Sequence, residues 1–116
     1  MSLTEHRKDA TKNAQPNRVL TRINAVSTLV IDEVHHAHAK HGDNSMLSAS
    51  IEDATRLAIL VEEVGEVANC LNERRLGADI DQPALMRELI QVAAVATGWT
   101  ALITTREDVQ PYEPKP

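Results

Sequence analysis

Arg56-Leu57-Ala58-Ile59-Leu60-Val61-Glu62-Glu63-Val64-Gly65-Glu66-Val67-Ala68-Asn69-Cys70-Leu71 is the stretch that decides the fold. Leu57, Leu60, Val61, Val64, Ala68 and Leu71 recur at three- and four-residue spacing, the period of one helix face. Ser50, with Asp53 three residues later, reads as a capping box opening this helix, which runs to about Arg75. Upstream, Val19, Ile23, Val26, Val30, Val34 and Ala37 predict a helix from about Arg18 to His41, terminated at Gly42. Gly42 to Ser50 reads as a loop. Downstream, Gly77 to Asp81 make a turn, Asp81 is an N-cap and Pro83 sits in the first turn of a helix reaching about Thr105. The expectation is an all-α bundle of three long antiparallel helices. Residues 1–17 form a polar, mobile arm, 18–106 the helical domain and 107–116 a proline-rich extended tail.

Composition narrows the classes. The 116 residues include no Phe, one Trp and one Tyr, so any core is built from Val, Leu, Ile and Ala. Such a core buries little area per residue, and a second subunit is expected to complete it. A net charge of −5 without a basic stripe argues against a nucleic-acid polymer as partner. One cysteine, Cys70, excludes an intramolecular disulfide framework. No apolar run approaches the ~20 residues of a membrane span, which points to a cytoplasmic protein with no membrane partner.

The carboxylates carry the chemistry. Glu62, Glu63 and Glu66 fall on an arc away from the apolar stripe of their helix, with Ile59 and Cys70 one turn to either side. Like charges this close repel by a few tenths of a kcal/mol per pair, which calls for a compensating cation. On the third helix the stripe is Leu85, Leu89, Val92, Ala96, Trp99 and Ile103, and Glu88 sits at its margin with Gln91 one turn along. A carboxylate withdrawn from water shifts its pKa, finds a partner or binds a metal. Oxygen donors from two adjacent helices suit one or two hard divalent ions such as Mg²⁺, and such ions serve phosphoryl chemistry.

The pattern E-E-x-x-E followed about twenty residues later by E-x-x-D resembles the MazG-type nucleoside triphosphate pyrophosphohydrolases, in the all-α NTP pyrophosphatase group that includes dimeric dUTPases. The likeness covers Ala39 to Leu102, with Lys40-His41-Gly42-Asp43 similar to the segment before the first motif in short, phage-type members. The resemblance implies Mg²⁺-dependent (or Mn²⁺-dependent) hydrolysis of a nucleoside triphosphate to monophosphate and pyrophosphate. It assigns metal binding to Glu62, Glu63, Glu66 and Glu88, and the orienting or deprotonation of water to Glu63. It also implies a homodimer or homotetramer with a shared core. The final Asp of the pattern is Gln91 here, which removes one negative charge and weakens the metal site, though its amide oxygen remains a donor.

Other residues have two readings. Lys40, His41, Arg74 and Arg75 are solvated charges or contacts to substrate phosphate, and Asn69 and Asn72 are polar surface or hydrogen-bonders behind the metal ligands. The histidines His35, His36, His38 and His41 drift around their helix, which disfavours zinc. Cys70 reads as a packing residue and Trp99 as core. Glu33-x-x-His36 has the spacing of di-iron carboxylate bundles, but the helical wheel sets both residues away from the stripe centre. A further alternative is a non-catalytic helical oligomer that binds nucleotide or a protein partner, with Gln91 marking lost activity.

Overall fold

The computed structural model describes the backbone of residues 3–75, 79 and 81–116. It is all-helical: α1 spans Leu3–His41, α2 Asp53–Arg75 and α3 Gln82–Thr104, with one 3₁₀ turn at Gly42–Asn44. α3 packs against both other helices, while no Cα atoms of α1 and α2 approach within 8 Å among the described residues. Glu33 meets Gln91, and Val34 lies against Gly98, so α1 and α3 run parallel. Asp53 at the start of α2 meets Trp99 and Arg106, so α2 runs antiparallel to both. Among the described residues no helix is long and apolar enough to cross a membrane.

The helix ends follow local chemistry. Gly42 adopts φ +53°, a conformation that other residues enter at a cost, and stops α1. Asp81 accepts a hydrogen bond from the Ala84 amide at 3.0 Å, and Pro83 occupies the first turn, where its missing N–H costs nothing. The turn expected over Gly77 to Asp81 lies largely outside the described residues.

Two expectations are corrected. The first helix, expected to open at about Arg18, is already formed at Leu3 and runs through Pro16. Glu5, Lys8, Ala10, Lys12, Ala14 and Gln15 are strong helix formers, and their propensity offsets the one backbone bond that proline removes. The capping box at Ser50 does not form. Ser50 Oγ donates to the Asp43 carbonyl at 3.0 Å, and the Asp53 carboxylate is taken by Arg56 (3.1 Å), Trp99 Nε1 (3.1 Å) and Arg106 (3.0 Å). The Arg106 guanidinium, above all, holds the Asp53 carboxyl below its ordinary range.

The core is small; it uses the expected stripe of α1 from Val30 onward but lies off the expected stripes of α2 and α3. Fully buried apolar positions among the described residues are Val30, Ala94 and Val95, with Gly98 beside them. On α2 the side facing α3 carries Arg56, Ile59, Leu60, Glu63, Val67 and Cys70, whereas Leu57, Val61, Val64, Ala68 and Leu71 point outward. The apolar stripe is thus turned by about 100° from the face that the chain itself covers. On α3, Leu89 is exposed and the remaining stripe residues are half-buried. On α1, Val19, Ile23 and Val26 are exposed, because α3 covers α1 only from Val30 onward.

Among the described residues Arg56 is the one large side chain that is fully buried, at 2% exposure. Its guanidinium donates to the carbonyls of Met46, Ser48 and Ile51 and to Asp53, tying the 42–52 loop onto α2. Removing it strands carbonyls in a closed site. Arg56→Ala is expected to cost about 2–4 kcal/mol. That corresponds to a Tm lower by about 10–20 °C in thermal unfolding followed by circular dichroism. A Tm unchanged from wild type would show that the loop holds its place without this clamp.

Candidate functional site

α2 and α3 bring the predicted acids to one region but not to one point. Glu63 is half-buried and faces α3, as Glu88 and Gln91 face inward from theirs. Glu62 and Glu66 are exposed on the neighbouring arc of α2. Gln91 Nε2 donates to Glu33 Oε1 at 2.8 Å, which adds a carboxylate from α1. The sequence reading had set Glu33 aside, and here it is half-buried at the α1–α3 contact. The helical wheel held a signal for it, since Glu33 lies only about 60° from the buried Val30. His36 is exposed, so the Glu33-x-x-His36 pair does not turn inward together.

The charges are crowded. Burial, and then Glu88, Glu62, Glu66 and Glu33 in that order, push the Glu63 carboxyl above its ordinary value. Among the described residues the only ion pairs are those of Arg56 and Arg106 with Asp53, so none of these five glutamates has a basic partner. The donor set is all oxygen, which suits a hard divalent ion that takes one or two carboxylates and keeps several waters. A closed cage is another matter: among the described residues no three His, Cys, Asp or Glu side chains converge closely enough to form one.

Beside the acids lies a cavity of about 280 Å³. Val34, Ala37, Leu47, Ile59, Ala94 and Val95 give it apolar walls, Glu63 and Gln91 line one part, and His38, His41 and Asn44 line the part nearest the end of α1. Ser45 is buried, lies 2.6 Å from His38 Nδ1 and accepts from the Leu47 amide at 3.3 Å, which fixes this wall. Arg56 holds the same loop from behind. Neither Ser45 nor Arg56 was legible as a site residue, because each acts on loop backbone that only the folded chain brings near.

The remaining assigned residues sort unevenly. His41 lines the cavity, whereas Lys40 is exposed at the end of α1 and lines none of its wall. Asn69 and Asn72 are exposed and outside it. Arg74 and Arg75 close α2, but their side chains lie outside the described residues. Trp99 is half-buried and bonded to Asp53, on the side of α3 away from the cavity wall. Burial, and secondly Glu88, push the Cys70 thiol upward, which fits a packing residue and not a nucleophile.

No family model, no curated protein and no solved structure matches the chain.

The Glu63 environment has a pH signature. Its folded-state value is raised above the ordinary 4.5, so the folded protein holds this proton to higher pH than the unfolded chain does. The stability linked to it is complete below about 4.5 and is lost as pH rises through the folded value. Glu63→Gln removes that loss. In the absence of divalent ions, the Tm gain of Glu63→Gln over wild type is expected to be larger at pH 7 than at pH 4. An equal gain at both would place the carboxyl in free solvent.

Proposed function

We propose that this chain is a divalent-cation-dependent nucleoside triphosphate pyrophosphohydrolase, acting as a homo-oligomer. One observation carries the reading. Glu63 and Gln91 stand in the wall of an apolar cavity, and Glu63 belongs to a group of glutamates without a basic partner among the described residues. A triphosphate brings the same excess of negative charge, and a cation between the two relieves both. The E-E-x-x-E and E-x-x-Q spacing, similar to that of MazG-type enzymes, supports the same chemistry.

The residues divide the work. Glu62, Glu63, Glu66 and Glu88 would hold Mg²⁺ or Mn²⁺, one or two of them directly and the others through the ion's waters, with the Gln91 amide as a neutral neighbour. Such an ion, when bound, neutralises phosphate oxygens and makes an attacking water more acidic. Glu63, the acid that lines the cavity, orients that water and accepts its proton. The cavity takes the uncharged part of the substrate, since its walls are apolar and its His38, His41 and Asn44 side offers hydrogen bonds. Lys40, at the end of α1, is free to meet phosphate, and the roles of Asn69, Asn72, Arg74 and Arg75 stay as phosphate or supporting contacts. The reaction yields a nucleoside monophosphate and pyrophosphate, in keeping with a cytoplasmic protein of nucleotide metabolism.

A second reading is favoured by Gln91 itself. A neutral amide at the place of the final Asp, bonded to Glu33, leaves a weaker cation site. The chain would then be a non-catalytic oligomer that binds nucleotide.

Pyrophosphate release from a panel of canonical, deoxy and modified triphosphates separates the two. We expect release that requires Mg²⁺ and is reduced at least about 100-fold in Glu66→Gln with helicity intact. Metal-dependent nucleotide binding without release would select the non-catalytic reading, and activity persisting in Glu66→Gln would overturn the metal assignment. Gln91→Asp places a second carboxylate against Glu33. It is expected to lower Tm without metal and to tighten Mg²⁺ binding about tenfold, read by calorimetry. Unchanged affinity would put that side chain outside the site.

A further inference from the structure

The outward face of α2 is shaped for a protein partner. Leu57, Val61, Val64 and Leu71 are 53%, 61%, 51% and 45% exposed, and they recur with Ala68 at alternating spacings of four and three residues. That is the a/d pattern of a helix–helix seam. Ala58, Gly65 and Asn72 flank it, so this arc of α2 carries no charge from Leu57 to Asn72. Glu62, Glu66 and Glu73 lie together on a different exposed arc.

Gly65 is a second, independent sign. It sits inside α2, and a Cβ built there meets nothing within 4 Å. Glycine in a helix interior costs about 1 kcal/mol relative to alanine. Among the described residues nothing comes near enough to need that cost, whereas the close approach of a second helix does.

The area points the same way. The chain exposes 9559 Å². A compact monomer of 12.8 kDa exposes only about 6300 Å². Residues 16–29 of α1 and the tail at 105–116 are exposed and share that excess with the outward face of α2. The choice of occupant follows from charge. With a net charge of −5, two copies repel over most of their surface, and an uncharged arc is where they can meet. An arc without charge is also complementary to itself, as a two-fold interface requires.

We infer that a second copy of this chain docks across the Leu57–Val61–Val64–Ala68–Leu71 arc of α2, with the two-fold axis near Val64. Val64 is the midpoint of the seam, so the two copies of Val64 come together whichever way the helices cross. This pairing completes the oligomer that the proposed function invokes, without depending on hydrolysis, and it leaves the cavity and the Glu63 side of α2 facing their own α3.

The test is made on full-length protein without nucleotide or metal, so it stands or falls apart from catalysis. In a Cys70→Ser background, Val64→Cys is oxidised and compared with Glu73→Cys, and mass is followed by sedimentation. The expected result is a dimeric or larger wild type, a disulfide-linked dimer from Val64→Cys and little linkage from Glu73→Cys. Gly65→Met gives the complementary arm, because methionine favours helix and only blocks close approach. It should keep full helicity and weaken self-association at least about tenfold. A monomeric wild type would overturn the inference and assign the arc to a different protein. Cross-linking through Glu73 instead of Val64, or unweakened association of Gly65→Met, would overturn it equally.

Discussion

One line of residues along α3 holds the molecule together. Glu88, Gln91, Ala94, Val95 and Gly98 all face inward, and α3 is the helix that meets both others. At one end of this line the side chains are small, and Gly98 lets Leu47, Met46 and Val34 pack closely. At the other end they are polar, and they meet Glu33 from α1 and Glu63 from α2. The same contact that forms the core therefore also gathers the acids. The crowded carboxylates make the seam weaker at its acidic end.

This division explains the cavity. Small side chains at Ala37, Ala94 and Gly98 leave space between the helices that no aromatic fills. Arg56 stiffens the loop that walls the space, through carbonyls at Met46, Ser48 and Ile51. A buried guanidinium spent on loop backbone is a costly arrangement unless its nitrogens find acceptors, and here all three donate. The loop and the acids thus border the same void from different helices.

The helices were legible in the sequence because their signals are local. Asp81 caps α3 and Gly42 ends α1 through bonds and dihedrals set within a few residues. The facing of the helices was not legible in the same way. The most regular apolar stripe on α2 points outward, since its period records burial by any partner and not by this chain alone. The acidic arc was consequently set too far from the core: Glu63 shares the inner face with Ile59 and Cys70. Glu33 reads in the sequence only as half of a Glu-x-x-His pair, because its neighbour across the contact, Gln91, is 58 positions away. Pro16 misled for the opposite reason, as a strong local signal outweighed by the helix formers around it.

The central claim is that the glutamates without a basic partner among the described residues answer to a divalent cation. Titration with Mn²⁺, followed by the paramagnetic resonance signal of the free ion, reads this directly. The account predicts that wild-type protein depletes the free signal saturably, that excess Mg²⁺ restores it, and that the Glu63→Gln, Glu88→Gln double variant depletes it little. A free signal left unchanged by folded wild-type protein, with and without a nucleoside triphosphate, would contradict it.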